Sequence, residues 1–273
     1  MSEFQKIEIG PQTLLEFRGP DAVRFLNGQV TQDVRRVLGG KISLPTCVTD
    51  AKGRLQFRVT LTEGPDAVLW IAGLPEWADA LEARLTRYLI ADDVEVTDLS
   101  GGYSLLHFIG TGVQAPPGVI ARESDRFGGA GTDWWVPAGL VIDFPAMDAA
   151  AVEDLRISHR IPAWGTELRE GMLPPEALLD STDVSYHKGC YVGQEVISRI
   201  KSAGKVNKLL TRFVLDGYAP ILPAMMENGA GEITSISPVT VTGGRYALGY
   251  VKRGATDLFI KGEDGSVYPI LRA

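Results

Sequence analysis

The chain has 273 residues, 45% of them hydrophobic and 22% charged, with a net charge of −7. No apolar run approaches the ~20 residues that cross a bilayer, and an acidic balance disfavours general attraction to phosphate backbones, so neither a membrane anchor nor stable nucleic-acid binding is expected. Two cysteines, Cys47 and Cys190, build neither a disulfide framework nor a four-thiolate zinc site. The first residues, Met1-Ser2-Glu3-Phe4-Gln5-Lys6, lack the apolar core of a secretory signal, which makes the cytoplasm the expected compartment.

In chain order, residues 13–18 read as a strand, and Gly19-Pro20 then opens a short helix with Ala22, Phe25 and Leu26 on one face. From Leu55 the residues alternate, with Leu55, Phe57, Val59 and Leu61 against Gln56, Arg58 and Thr60, the period of a half-buried strand. Residues 68–71 continue a sheet after the turn Glu63-Gly64-Pro65-Asp66. Pro75 marks a first helical position, and Trp77, Leu81, Leu85, Tyr88 and Leu89 follow at helical spacing. Short strands are expected at 93–96, 103–109, 134–136 and 140–144. A helix from Asp148 carries Ala151, Leu155 and Ser158 on one face and turns near Arg160, ahead of Pro162. Ser202-Ala203-Gly204 is the expected boundary before strands at 211–215, 231–236, 247–251 and 258–260, which read as a small β-barrel.

The chain has no GxSxG elbow, phosphate loop, GxGxxG turn or His-Glu-x-x-His helix, which removes several enzyme classes. His107, His159 and His187 are the only histidines, and their spacing gives no metal site. Cys190 stands between Gly189 and Tyr191, with Gly193 beyond, where the backbone can bend tightly. Two readings stand. In one the thiol is presented, with Lys188, His187 and a helix starting at Gln194 or Glu195 favouring the thiolate; in the other it is a small buried hydrophobe. Cys47 reads as structural. Asp50-Ala51-Lys52-Gly53-Arg54 is either a grip for a polar ligand or a turn with Gly53 at positive φ. Trp164, between Arg156 and Glu167, is either a platform for a flat heterocycle or core. The basic residues Arg199, Lys201, Lys205, Lys208 and Arg212 bind an anion or solvate a turn.

Together these residues resemble the YgfZ family, which is related to the T-protein (aminomethyltransferase) of the glycine cleavage system. Lys188-Gly189-Cys190-Tyr191-Val192-Gly193-Gln194-Glu195 is similar to that family's K-G-C-[FY]-x-G-Q-E signature at every fixed position. Its flanks, Pro175-Glu176-Ala177 before and Arg199-Ile200 with Gly204-Lys205-Val206 after, also match. Upstream, Gly19-Pro20-Asp21-Ala22, Phe25-Leu26-Asn27-Gly28 and Thr31-Gln32-Asp33 look like the N-terminal motif shared by both branches.

The resemblance implies an α+β, three-lobed ring around a central channel. Its expected domains are residues 1–45 with 140–200, carrying the cysteine loop, then 46–139, then the barrel at 201–273. It further implies a role in assembly, maintenance or repair of 4Fe–4S proteins, including radical enzymes that modify transfer RNA. Cys190 with Lys188 would do the chemistry, supported by Gly189, Tyr191, Gly193, Gln194 and Glu195. Whether the sulfur is nucleophile, redox thiol or transient cluster ligand stays open. Implied partners are iron–sulfur client or assembly proteins and a reduced folate, tetrahydrofolate or a one-carbon derivative, held by Asp50, Gln56, Ser158, Trp164 and Arg199. Two departures from the T-protein pattern stand out. Residues 54–59 hold no carboxylate where T-proteins carry an aspartate, and Ser158 stands near a pteridine-gripping glutamate position. Both weigh against the alternative of a folate-dependent one-carbon transferase. A third reading is an interaction module that has lost the folate.

Overall fold

The computed structural model describes residues 4–204, 206–241, 243–263 and 265–273. Lys205, one of the basic residues read as binding an anion or solvating a turn, lies outside them. In chain order the elements are β1 (Gln5–Pro11), β2 (Thr13–Arg18), α1 (Ala22–Gln29), β3 (Leu44–Thr49), β4 (Leu55–Glu63), β5 (Leu69–Gly73), α2 (Ala78–Thr86), β6 (Glu95–Asp98), β7 (Tyr103–Ile109), β8 (Ile120–Ser124), β9 (Gly131–Pro137), α3 (Ala149–Ser158), α4 (Gln194–Ala203), β10 (Lys208–Leu215), β11 (Ala224–Met225), β12 (Gly231–Val241), β13 (Gly244–Lys252), β14 (Phe259–Lys261) and β15 (Val267–Arg272). By contacts they fall into two compact units, residues 1–147 with 180–198 and residues 148–179 with 199–273.

The first unit holds two antiparallel sheets. Five strands run in the order β3-β4-β5-β2-β6, and four in the order β1-β7-β9-β8. The five-stranded sheet therefore takes β2 and the start of β3 from before residue 45 and its other strands from after it. The sheets meet through Leu14, Trp70 and Ala72 on one side and Leu105 and Trp135 on the other. Trp70 and Trp135 touch edge to face with ring centroids 5.8 Å apart. Neighbouring residues of a strand point to opposite faces, so Trp134 packs instead with Phe108 and Phe144 on the far face of the same sheet. That double burial leaves β9 with almost no solvent-facing side.

The second unit contains a six-stranded antiparallel sheet, β11-β12-β13-β10-β15-β14, curled into a nearly closed barrel around Phe213, Ile233, Ala247, Ile260 and Ile270. The expected barrel is present, with two strands, β11 and β15, that the alternation does not announce. Against it lies α3, capped by Asp148, whose carboxylate accepts the Ala151 amide at 2.8 Å.

Four expectations shift. Tyr88 and Leu89 lie past the end of α2, and the exposed Tyr88 ring takes Arg84 and Arg87 on its faces instead of joining the Trp77, Leu81, Leu85 stripe. The strand expected at 93–96 runs at Glu95–Asp98, because Arg18 and Leu15 of β2 set its register. Residues 140–144 form no strand: Leu140 and Val141 are exposed, Ile142 O accepts from the Lys6 side chain of β1, and the isolated bridge to Lys6 comes later, at Ala146. On α3 the buried residues are Arg156 and Ile157, whereas Ala151, Leu155 and Ser158 are half-buried. Arg160 takes positive φ, +58°, where the chain turns.

Candidate functional site

The segment preceding α4 makes a bend of alternating commitment. Lys188 is buried, and its Nζ donates to the carbonyls of Val30 and Gln32, both at 2.7 Å. Tyr191 also turns inward, packing with Val184 and Ile197, and its ring lies 5.1 Å from the Lys188 ammonium. Between these two inward side chains, Gly189 and Cys190 are exposed. Cys190 is therefore at the surface and no buried hydrophobe, while the Lys188 expected to favour its thiolate turns inward and spends two donors on backbone carbonyls.

The downstream half of the bend is seated on the turn after β3. Thr49 Oγ1 donates to Val192 O at 2.6 Å, and the Val192 amide donates to Gly28 O at 3.1 Å. Gly193 has φ +88°, and a Cβ there would lie 2.5 Å from Asp50 O and 2.8 Å from Gly53 Cα. Gly53, at φ +69°, faces it: a Cβ on Gly53 would meet Gly193 O, Ile197 and Val196 at 3.2 Å. Two glycines thus allow two backbones to touch. Asp50 closes its own turn, its Oδ1 accepting the amides of Lys52 and Arg54 at 2.8 Å each. The turn with Gly53 at positive φ is the observed geometry, and what it receives is the cysteine loop. Three stretches far apart in sequence, residues 28–32, 49–53 and 188–193, form one constellation within the first unit.

Arg84 on α2 braces it. Its guanidinium donates to Thr49 O at 2.6 Å, to Gln29 Oε1 at 3.1 Å and to Gln56 Oε1 at 2.6 Å. Neither Arg84 nor Thr49 stands out in the sequence. The one available signal is that Arg84 flanks Leu81 and Leu85 on the buried side of an amphipathic helix.

Burial pushes the Lys188 ammonium down to about 7, with the Asp33 carboxylate pulling the other way and Arg35 adding to the fall. Burial also raises the Tyr191 phenol, whose hydroxyl has no hydrogen-bond partner among the described residues. The second thiol is a contrast. Cys47 is fully buried on β3, 3.9 Å from Asp183 Oδ2, and burial pushes it well up, which agrees with a structural role. Asp183 itself is held by Nε and Nη2 of Arg58, at 2.7 and 3.2 Å, and by the Thr182 hydroxyl at 2.6 Å.

The residues implied for a folate divide between the units. In the first, Asp50 spends one carboxylate oxygen on its turn and Gln56 its carbonyl oxygen on Arg84, which leaves the Gln56 amide NH2 to donate. A heterocycle with acceptor atoms fits that group; one needing a carboxylate does not. In the second unit Ser158 is half-buried at the end of α3, its carbonyl accepting from Arg212, Trp164 is half-buried, and Arg199 is exposed on α4. Glu195 is exposed and Gln194 begins α4, where a helix was expected to start.

Arg156 and Glu167 form a saturated buried hub in the second unit. Arg156 bonds Glu167 at 2.8 Å, Glu153 at 2.8 and 2.5 Å, Ser235 at 2.8 Å and Ile161 O at 2.9 Å. Glu167 accepts in addition from Thr234, Ser235 and the Ala163 amide. His107 is buried against Asp133 at 2.8 Å, and Arg126 holds the same carboxylate, whose pKa falls to about 2. Lys208 and Arg212 sit on β10 over the rings of Tyr250 and Tyr246, at 4.3 and 4.7 Å. Among the described residues no group of three or more His, Cys, Asp or Glu side chains is gathered as a metal would need, and no helix is long and apolar enough to cross a membrane.

No family model matches the sequence. Curated relatives do. The chain is 27% identical over 244 residues to the mitochondrial iron–sulfur cluster assembly factor IBA57 homolog of Mycosarcoma maydis, covering 80% of this chain and 60% of that protein. It is 28% identical over 253 residues to the corresponding protein of Pyricularia oryzae, covering 84% and 63%. To the tRNA-modifying protein YgfZ of Aliivibrio fischeri it is 24% identical over 273 residues, covering 92% and 84%. The chain thus spans less than two thirds of the two fungal relatives. Among solved structures, the glycine cleavage system aminomethyltransferase T of Bartonella henselae matches with a TM-score of 0.80 at 18% identity, covering 98% of this chain and 84% of that one. The fold is that of the aminomethyltransferase, and the resemblance to the YgfZ family read from the cysteine signature is matched by relatives that carry that name.

Proposed function

We propose that this chain is a factor for the assembly, maintenance or repair of iron–sulfur proteins, 4Fe–4S enzymes that modify transfer RNA among them, and that it works through the thiol of Cys190. The observation that carries the reading is the bend itself: Lys188 on one side of Cys190 and Val192 on the other are anchored by hydrogen bonds, while Gly189 and Cys190 face solvent. A thiol held outward is available to a client or to a second thiol. Lys188 contributes by holding the bend, with its two hydrogen bonds spent on backbone. The names of the relatives, two iron–sulfur assembly factors and one tRNA-modifying protein, agree with this reading.

The decisive experiment compares the wild type with Cys190→Ala in a strain lacking the endogenous protein. The expected outcome is loss of iron–sulfur enzyme activity to the level of the empty vector; full restoration by the alanine variant would sink the reading.

A reduced folate is the second half of the proposal, held in part by the Gln56 amide. Anaerobic calorimetry with tetrahydrofolate is expected to show binding that folinic acid competes away, and a flat titration would favour the interaction module without a ligand. One-carbon transfer is disfavoured because Gln56, held by Arg84, offers no carboxylate.

A further inference from the structure

We propose that Thr49 is the positioning residue of the Cys190 thiol, its hydroxyl fixing the Val192 carbonyl and with it the bend that carries Gly189 and Cys190 outward. The inference rests on the reading of Cys190 as the working group. Thr49 ends β3 and is fully buried, and a hydroxyl has one proton, which goes to Val192 O at 2.6 Å. The other polar group of the same residue, the Val192 amide, is held by Gly28 O. Val192 is therefore gripped on both sides by segments from the N-terminal part of the chain.

The grip is itself braced. Arg84 bonds the Thr49 carbonyl and the Gln29 side chain, so one guanidinium steadies both segments that hold Val192. The space leaves no slack: a Cβ on Gly193 would lie 2.8 Å from Thr49 Oγ1. If the hydroxyl were removed, the carbonyl of half-buried Val192 would lose its donor, and the bend would gain freedom at the residues that carry the thiol.

Thr49→Val keeps the β-branched shape and deletes the proton, whereas Thr49→Ser keeps the proton. Backbone amide exchange of the purified full-length chains reads the bend, and the resistance of Cys47 to iodoacetamide reports that the core is intact. Expected is exchange about tenfold faster at the Val192 amide, the hydrogen-bonded amide of the bend, in Thr49→Val, with unchanged exchange in the six-stranded sheet, and return to within about twofold of wild type in Thr49→Ser. Support of iron–sulfur enzymes in the deletion strain should fall and recover in parallel. The proposal is overturned if loop exchange in Thr49→Val matches wild type, if exchange rises equally throughout the molecule, or if serine restores nothing. Should Cys190→Ala support those enzymes as well as wild type, the functional reading fails while loop exchange still decides the role of Thr49.

Discussion

The cysteine bend of the first unit and the Arg156–Glu167 hub of the second are both dense polar clusters, and they end differently. In the hub, Arg156 and Glu167 bind partners within the unit from several segments, and both are buried. In the bend Lys188 and Thr49 are hydrogen-bonded while the Tyr191 hydroxyl has no partner among the described residues, and the residues they hold, Gly189 and Cys190, face outward. A polar network that closes on itself is architecture; one that closes around an exposed thiol presents it.

That contrast can be broken most forcefully at the hub. Glu167→Ala leaves Arg156 with Glu153 as its remaining carboxylate and deprives Ser235, Thr234 and the Ala163 amide of an acceptor. A loss of about 3 kcal/mol in urea unfolding is expected, with the alkylation rate of Cys190 unchanged. A loss below about 1 kcal/mol would mean that the closed network contributes little to stability.

A smaller effect sharpens the other side. The Lys188 pKa is about 7 in the folded chain against an ordinary 10.5. Between these values the unfolded chain still holds a proton that the folded chain has released, so the Lys188 contribution makes stability rise with pH across that window. Below pH 7 both states are protonated and the slope vanishes. Lys188→Met should remove the rise and cost about 1 kcal/mol at neutral pH, because the Val30 and Gln32 carbonyls lose their donor. Urea unfolding at pH 6, 8 and 9.5 measures both quantities; an unchanged pH slope in the variant would assign the titration elsewhere.

Much of this was legible from the residues. The alternation from Leu55 marks β4, the helical spacing of Leu81 and Leu85 marks α2, and Gly53 announces its turn. These are local patterns, set by which face of a strand or helix meets water. The short β11 and the strand β15, with exposed Val267 and Leu271, carry no such alternation, and their pairing comes from the neighbours they meet. The apolar stretch at 140–144 shows the converse error, since hydrophobicity without a pairing partner makes no strand.

At the site, the sequence by itself determined that Cys190 stands in a loop able to bend, because Gly189 and Gly193 flank it within a signature matched at every fixed position. Only the tertiary structure decided that Cys190 is exposed while Cys47 is buried, that Lys188 spends its donors on Val30 and Gln32, and that Gly193 rests against Gly53. The reason is physical. Propensity and periodicity act over a few residues, whereas a hydrogen bond such as Thr49 to Val192 joins positions 143 apart and exists only once the chain has folded.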